Sequence, residues 1–200
     1  MQKTHFLCLM ANASAALLRS SFDPATGLLT ILAPGGDSIV QNALTEAGRD
    51  KIGAWLTAFM GPEARGVPTF HHVPGHSFSD VSAKVLSLIN IASLDDLSRR
   101  VGALRHKRRF RANVYFSGAP AWSELDWIGQ EFLAGGARLR IKKRIPRCPA
   151  TQVNPETAER DADPVRELRA AFGHPDLGIY AEVIEGGEIA VGDALELLPG

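Results

Sequence analysis

The chain has 200 residues, with 22 basic and 22 acidic side chains and a formal net charge of zero. That balance excludes a dedicated nucleic-acid binder, which needs surplus positive charge to displace counterions from phosphates. Hydrophobic residues make up 45% of the chain, enough for a sizeable core, but nowhere is there the run of about 20 apolar residues that a membrane helix needs.

The first segment, MQKTHFLCLMANASAALLRSS, joins Lys3 to an apolar stretch and small residues, as a secretory signal does. Asn12 and Ser14 interrupt the stretch, and it flows directly into a strand pattern, so it is read as part of the fold. Residues 17–22 and 28–32 are apolar-rich runs separated by DPATG, where Asp23 and Pro24 favour a turn and Gly27 can take positive φ. A β-hairpin is expected there, broken off by APGGD at 33–37. Residues 45–60 follow a helical period, with Ile52, Trp55, Leu56, Phe59 and Met60 on one face and Gly61-Pro62 as the stop. The Pro/Gly-rich stretch 61–76 reads as loop, and its His71, His72 and His76 as surface histidines without the partner spacing of a zinc site.

Residues 85–91 predict a buried strand, followed by a short helix capped by Ser93 with Asp95 and Asp96 in its first turn. RHKRR at 105–109 predicts a solvated loop, and 110–116 a strand. AWSELDWIGQ is a short helical or turn segment, and 132–133 with 137–145 form a hairpin around Gly135-Gly136. Arg138, Arg140, Lys142 and Arg144 alternate along the second arm and so share a face, which is either a solvated outer face or a wall turned to an anion. Asp163 caps a helix that has Pro164 at its first position, Val165, Leu168 and Phe172 on its inner face, and Gly173 at its end. The tail predicts three short strands split at Gly186-Gly187 and Gly192-Asp193. Short strands, tight turns and the lack of a repeated βαβ unit indicate a β-rich α+β fold, a β-barrel with flanking helices.

Cys8 and Cys148 are the only cysteines, so there is no disulfide framework and a reducing, cytoplasmic setting is expected. Cys148 lies in RIPRCPATQVNPETAERD, between Pro146 and Pro149 and directly after Arg147. Proline restricts the residue before it to extended backbone, so the sulfur is held at a strand exit with little freedom. Nearby positive charge favours the thiolate, which is the nucleophile and the metal ligand. Thr151 has a hydroxyl to offer a bound anion. A small buried hydrophobe is the plainer reading of such a cysteine.

Four motifs bear on that choice. RFRAN at 109–113, AWSELDWIGQEF at 121–132, RCPATQVNPETAERD at 147–161 and GEIAVGDALEL at 187–197 occur in that order. Together they resemble the MOSC domain family, named after the C-terminal domain of molybdenum cofactor sulfurase, in its stand-alone bacterial form. The resemblance implies two parts, an N-terminal β-rich region over 1–84 and a MOSC β-barrel over 85–200. It implies that Cys148 is the key residue, a ligand to molybdenum in a molybdenum–pterin cofactor. Arg111 and Asn113 match the family's Arg–Pro–Asn segment, and Arg147 and Thr151 its Arg–Cys–x–x–Thr turn. By that resemblance these four residues would contact the cofactor, the arginines through its phosphate or pterin.

Two departures are visible. Ala112 stands where the family usually has proline, and LMANASAALL lacks the basic residue that cofactor-binding relatives carry in this early strand. No pyridoxal phosphate domain fits in 200 residues. The implied activity is that of an oxidoreductase acting on a small molecule with a separate electron-donor protein, since no flavin, haem or iron–sulfur motif is present. One alternative is a sulfur carrier, fed by a sulfur-donor protein, with a persulfide on Cys148 and no metal. The other is a cofactor-free binding module on a MOSC-like barrel. Neither a nucleic-acid nor a membrane partner is expected.

Overall fold

The computed structural model describes residues 5–71, 81 and 83–199. His72 and His76 lie outside the described residues. The chain forms two compact units, Met1–His76 with Gln152–Ala162, and Ser77–Thr151 with Asp163–Gly200.

The first unit contains an antiparallel three-stranded sheet, β1 (Arg19–Asp23), β2 (Leu28–Leu32) and β3 (Ser38–Asn42), in that order. The β1–β2 turn closes because the Asp23 carboxylate accepts from the Ala25 N–H (2.9 Å) and the Thr26 hydroxyl (2.7 Å), while Gly27 takes a φ of 73°. The third strand was not anticipated: SIVQN is short and half polar, and its pairing to β2 lies beyond the Gly35-Gly36 turn. Helix α1 (Glu46–Met60) starts where the Thr45 hydroxyl accepts from the Gly48 N–H (3.1 Å) and ends at Gly61. Ile52 and Leu56 on α1 bury themselves against Ile31. Trp55 and Phe59 stack on each other beside this core, with ring centroids 5.8 Å apart.

The N-terminal turn of this unit is held by polar contacts. Asn12 is fully buried; its amide donates to the Glu63 carbonyl and its oxygen accepts from the Cys8 N–H (3.0 Å). The Glu63 carboxylate accepts from the Ser14 N–H (2.9 Å) and the Ser14 hydroxyl (2.5 Å). Arg160, on the returning segment, donates to the Leu9 carbonyl (2.9 Å) and the Met10 carbonyl (2.8 Å).

The second unit is a curled half-barrel of six strands in the order β5-β4-β8-β7-β6-β9. In chain order its elements are β4 (Val85–Asn90), α2 (Ile91–Val101), β5 (Val114–Phe116), β6 (Glu131–Ala134), β7 (Ala137–Pro146), α3 (Pro164–Phe172), β8 (Asp176–Glu185) and β9 (Leu195–Leu197). Only the β4–β5 pair is parallel. Three register shifts along β7 against β8 add local twist and curl the sheet. Leu88, Phe132, Leu139, Ile141 and Ile179 form the core of the sheet. A second cluster joins Ile89, Leu94, Leu97, Phe110, Leu168 and Leu177 beneath α2 and α3.

Several local expectations are corrected here. The cap of α2 is Asn90, whose side chain accepts from the Ala92 N–H (3.1 Å). Ser93 is a buried helical residue that donates to the fully buried Glu124 carboxylate (2.7 Å), which also accepts from the Asn90 amide (3.1 Å). Residues 110–113 form a turn ahead of β5, not strand, because Arg111 adopts a φ of 51°. The stretch 105–109 is not a solvated loop: Arg105 makes a two-point ion pair with Glu167 on α3 (2.6 and 2.7 Å), and Arg109 is buried. Of the three predicted tail strands the first is the ten-residue β8 and the last is β9, whereas 188–191 is loop, tied to the β6–β7 turn by the Gly136 N–H donating to the Glu188 carbonyl (2.9 Å). As expected, Asp163 caps α3 by accepting from the Arg166 N–H (3.1 Å), with Pro164 at the first position. Among the described residues, no helix is long and apolar enough to cross a membrane, and no cluster of His, Cys, Asp and Glu is placed to hold a metal ion.

Burial alone would raise the Glu63 pKa. The Ser14 hydroxyl and N–H, the Ala13 N–H and the charge of Arg160 outweigh burial and hold it below the ordinary 4.5. The stabilisation is therefore complete above pH 4.5 and is lost as pH falls through the depressed native value. Thermal melts of wild type and Glu63→Gln across this range should show the wild-type advantage shrinking on acidification; an advantage that grows toward low pH would contradict the assignment.

Candidate cofactor site

Strand β7 ends at Pro146 and delivers Arg147 and Cys148 to one edge of the half-barrel. The Arg147 N–H donates to the Pro175 carbonyl (2.9 Å), which carries the backbone pairing one residue beyond the strand. Cys148 follows as a free, half-buried thiol. Its carbonyl accepts from both the Thr151 N–H (3.1 Å) and the Thr151 hydroxyl (2.9 Å) at the start of the 3-10 turn Pro149–Gln152. The cysteine backbone is thus tethered on both sides while the residue is only half-buried.

The Arg147 guanidinium points into protein. Nε and Nη2 donate to the Leu177 carbonyl, the former at 2.8 Å, and Nη1 donates to the Phe110 carbonyl (3.1 Å). The Phe110 ring lies 5.5 Å from the guanidinium carbon. Burial lowers its pKa from 12.5 to about 10, partly offset by Tyr180, Tyr115, Cys148 and Asp176, so it remains charged at neutral pH. Room for it exists because residue 178 is glycine. Gly178 has a φ of 83°, and a Cβ there would come within 2.3 Å of the Leu88 carbonyl and 3.1 Å of Arg147 Nη2.

The bond from Arg147 to Phe110 brings the turn at 110–113 alongside the Cys148 exit. Arg111 is exposed on that turn. Asn113 is engaged with β4: its side-chain oxygen accepts from the Ser87 N–H (2.9 Å) and hydroxyl (2.8 Å), and its N–H donates to the Ser87 carbonyl (3.0 Å). Of the five residues singled out from the sequence, Arg111 and Asn113 are exposed and Cys148 is half-buried. Arg147 and Thr151 donate to neighbouring backbone carbonyls, and the Asn113 side-chain oxygen accepts from Ser87.

The alternating cations of β7 form the outer face. Arg138 and Arg140 both bind Glu131 (2.6 and 2.5 Å), Lys142 binds Glu182 (3.1 Å), and Arg144 donates to the Leu125 carbonyl (3.0 Å) and reaches Asp126 (3.4 Å). Hydrogen bonds from Arg140 and Arg138 hold the Glu131 pKa below 4.5 and outweigh the opposing desolvation. Every cation on this face therefore has an acidic partner.

The donor set fits a molybdenum–pterin group in kind. A positionally fixed thiol supplies the soft ligand that molybdenum favours, and Arg111 supplies a guanidinium suited to a phosphate. Tyr115 and Gly178, which build the surroundings of these groups, were not singled out from the sequence. A glycine at the head of an apolar strand pattern is the signal that could have pointed to Gly178.

These features define a protein of the MOSC domain family: the family model matches residues 70–196, more than half of the chain, and the chain belongs to that family. Among individual proteins, it is 31% identical over 205 residues to mitochondrial amidoxime-reducing component 1 of Mus musculus, covering 86% of this chain and 59% of that protein. It is 26% identical over 172 residues to mitochondrial amidoxime reducing component 2 of Rattus norvegicus, covering 72% of this chain and 50% of that protein. The chain thus spans between half and three-fifths of the length of these relatives. A solved structure, YiiM from Geobacillus stearothermophilus, matches with 18% identity and a TM-score of 0.45, over 57% of this chain and 54% of that one.

Replacing Arg147 by Met leaves two buried carbonyls short of donors and should cost about 2–4 kcal/mol in urea denaturation. Arg147→Lys should recover only part of this, because one ammonium cannot reproduce the planar fork. Arg111→Ala, at an exposed position, should stay within about 0.5 kcal/mol of wild type.

Gly178→Ala should be at least as damaging as Arg147→Met, since its methyl meets backbone at a strained φ. A Gly178→Ala protein that melts like wild type would show that the Arg147 pocket is not close-packed.

Proposed function

We propose that this chain holds a molybdenum–pterin cofactor through the Cys148 thiolate and takes part in reductive two-electron chemistry on a small molecule. MOSC membership over residues 70–196 and the tethered, half-accessible thiol at the end of β7 support the reading. When bound, the group supplies two-electron redox and oxygen-atom exchange.

The chain's own residues do the rest. Cys148, in thiolate form, is the ligand. Arg111 meets the phosphate end of the group, with its guanidinium presented from an exposed turn. Arg147, Asn113 and Thr151 act as positioning residues: the first locks the two turns together, the second fixes the Arg111 turn to β4, and the third fixes the Cys148 carbonyl. The named relatives suggest the substrate class, an N–O compound of amidoxime type. Reducing such a bond consumes two electrons and two protons, and releases water and the corresponding amidine. The electrons come from a separate donor protein.

The observation that carries the proposal is the Cys148 thiol, held by its backbone and left outside any disulfide. Freshly purified wild type should carry about one molybdenum per chain by elemental analysis, and Cys148→Ser should carry none. Sulfane sulfur released by reductant without molybdenum would replace this reading with persulfide transfer. Neither signal would leave a binding module.

A further inference from the structure

We infer that Tyr115 is a positioning residue that holds Arg111 in the backbone conformation from which its guanidinium meets an anion. The identity of that anion rests on the cofactor reading above; the positioning role does not. Arg111 sits at a φ of 51°, in the left-handed region that a residue with a Cβ enters only at a cost. Such a conformation persists where the surroundings over-determine it, and such places gather at ligand-holding sites.

Both peptide groups flanking Arg111 are tied. On one side the Phe110 carbonyl accepts from Arg147 (3.1 Å). On the other, the Ala112 N–H donates to the Tyr115 hydroxyl (3.1 Å). The same hydroxyl donates to the Lys107 carbonyl (2.8 Å), and the Lys107 ammonium lies 5.4 Å from the centre of the Tyr115 ring. One phenol thus bridges the two ends of the turn, accepting at one and donating at the other, which phenylalanine cannot do.

Tyr115 is itself fixed. It pairs with Ile89 in the parallel β4–β5 ladder, and its ring packs against the cluster under α2 and α3. The bond to residue 112 exists because alanine stands there; proline, with no N–H, could not make it. Tyr115 thereby replaces, through a hydrogen bond, the stiffness that proline would have given this turn.

The test uses the metal-free full chain, with Tyr115→Phe as the variant because the ring, and with it the packing, is retained. In wild type the Arg111 amide should show the strong intraresidue Hα–HN cross-peak of a positive-φ residue, and Tyr115→Phe should lose it. Affinity for inorganic pyrophosphate, read by calorimetry, should fall about tenfold in Tyr115→Phe, the scale of one hydrogen bond. Adding Tyr115→Phe to Arg111→Ala should cause no further loss. An unchanged cross-peak with unchanged affinity would overturn the inference, and so would an equal loss in the Arg111→Ala background. If freshly purified wild type carries no molybdenum, while the metal-free chain loses the Arg111 signature on Tyr115→Phe, the cofactor reading sinks and the positioning role stands.

Discussion

A single buried guanidinium organises the half-barrel unit. Arg147 follows directly on the end of β7, and its side chain reaches back to satisfy the Leu177 carbonyl at the start of β8 and the Phe110 carbonyl ahead of β5. Those three segments are far apart in sequence, and one side chain bonds to two of them from the third. Burying a charge is costly unless its donors are used, and here the planar fork supplies donors to two carbonyls at once while an aromatic face covers it. The neighbouring glycine is part of the same solution, since only a residue without a Cβ leaves space for the guanidinium beside the Leu88 carbonyl.

The placement of Cys148 follows from this clamp. The arginine fixes the backbone on the near side of the sulfur, and Thr151 fixes it on the far side. What is left is a half-buried cysteine on one turn and an exposed arginine on the adjoining turn. Among the β7 cations, Arg138, Arg140, Lys142 and Arg144 are paired with Glu131, Glu182 and Asp126, while the Lys143 ammonium lies 5.7 Å from the centre of the Tyr180 ring. The broad basic face of β7 is thus largely spent on carboxylates, and Arg111 is an exposed cation on the turn joined to Arg147.

The elements with strong local codes were legible in the sequence. Thr45 and Gly61 bracket α1, Asp163-Pro164 and Gly173 bracket α3, and Asp23 with Gly27 closes the first hairpin. Elements decided by distant partners were not. β3 depends on pairing to β2, and the capping role went to Asn90 because Ser93 is drawn to a carboxylate 31 residues further on. Arg105 and Arg109 read as solvated cations, but Glu167 and the core lie within their reach. The motif residues of the site were found in the sequence by resemblance. Which of them face outward was not, because a guanidinium that binds carbonyls and one that binds a ligand are spelled alike.

The first unit is discontinuous: residues 77–151 of the second unit intervene between its N-terminal part and its closing segment, and Arg160 joins the two through the Leu9 and Met10 carbonyls. During synthesis, the early residues leave the ribosome long before that arginine is made. They must wait, with the Leu9 turn unclosed, until the segment bearing Arg160 has emerged. The half that appears first is therefore the half that finishes late, and a nascent chain stalled before residue 160 would expose this turn to chaperones and proteases.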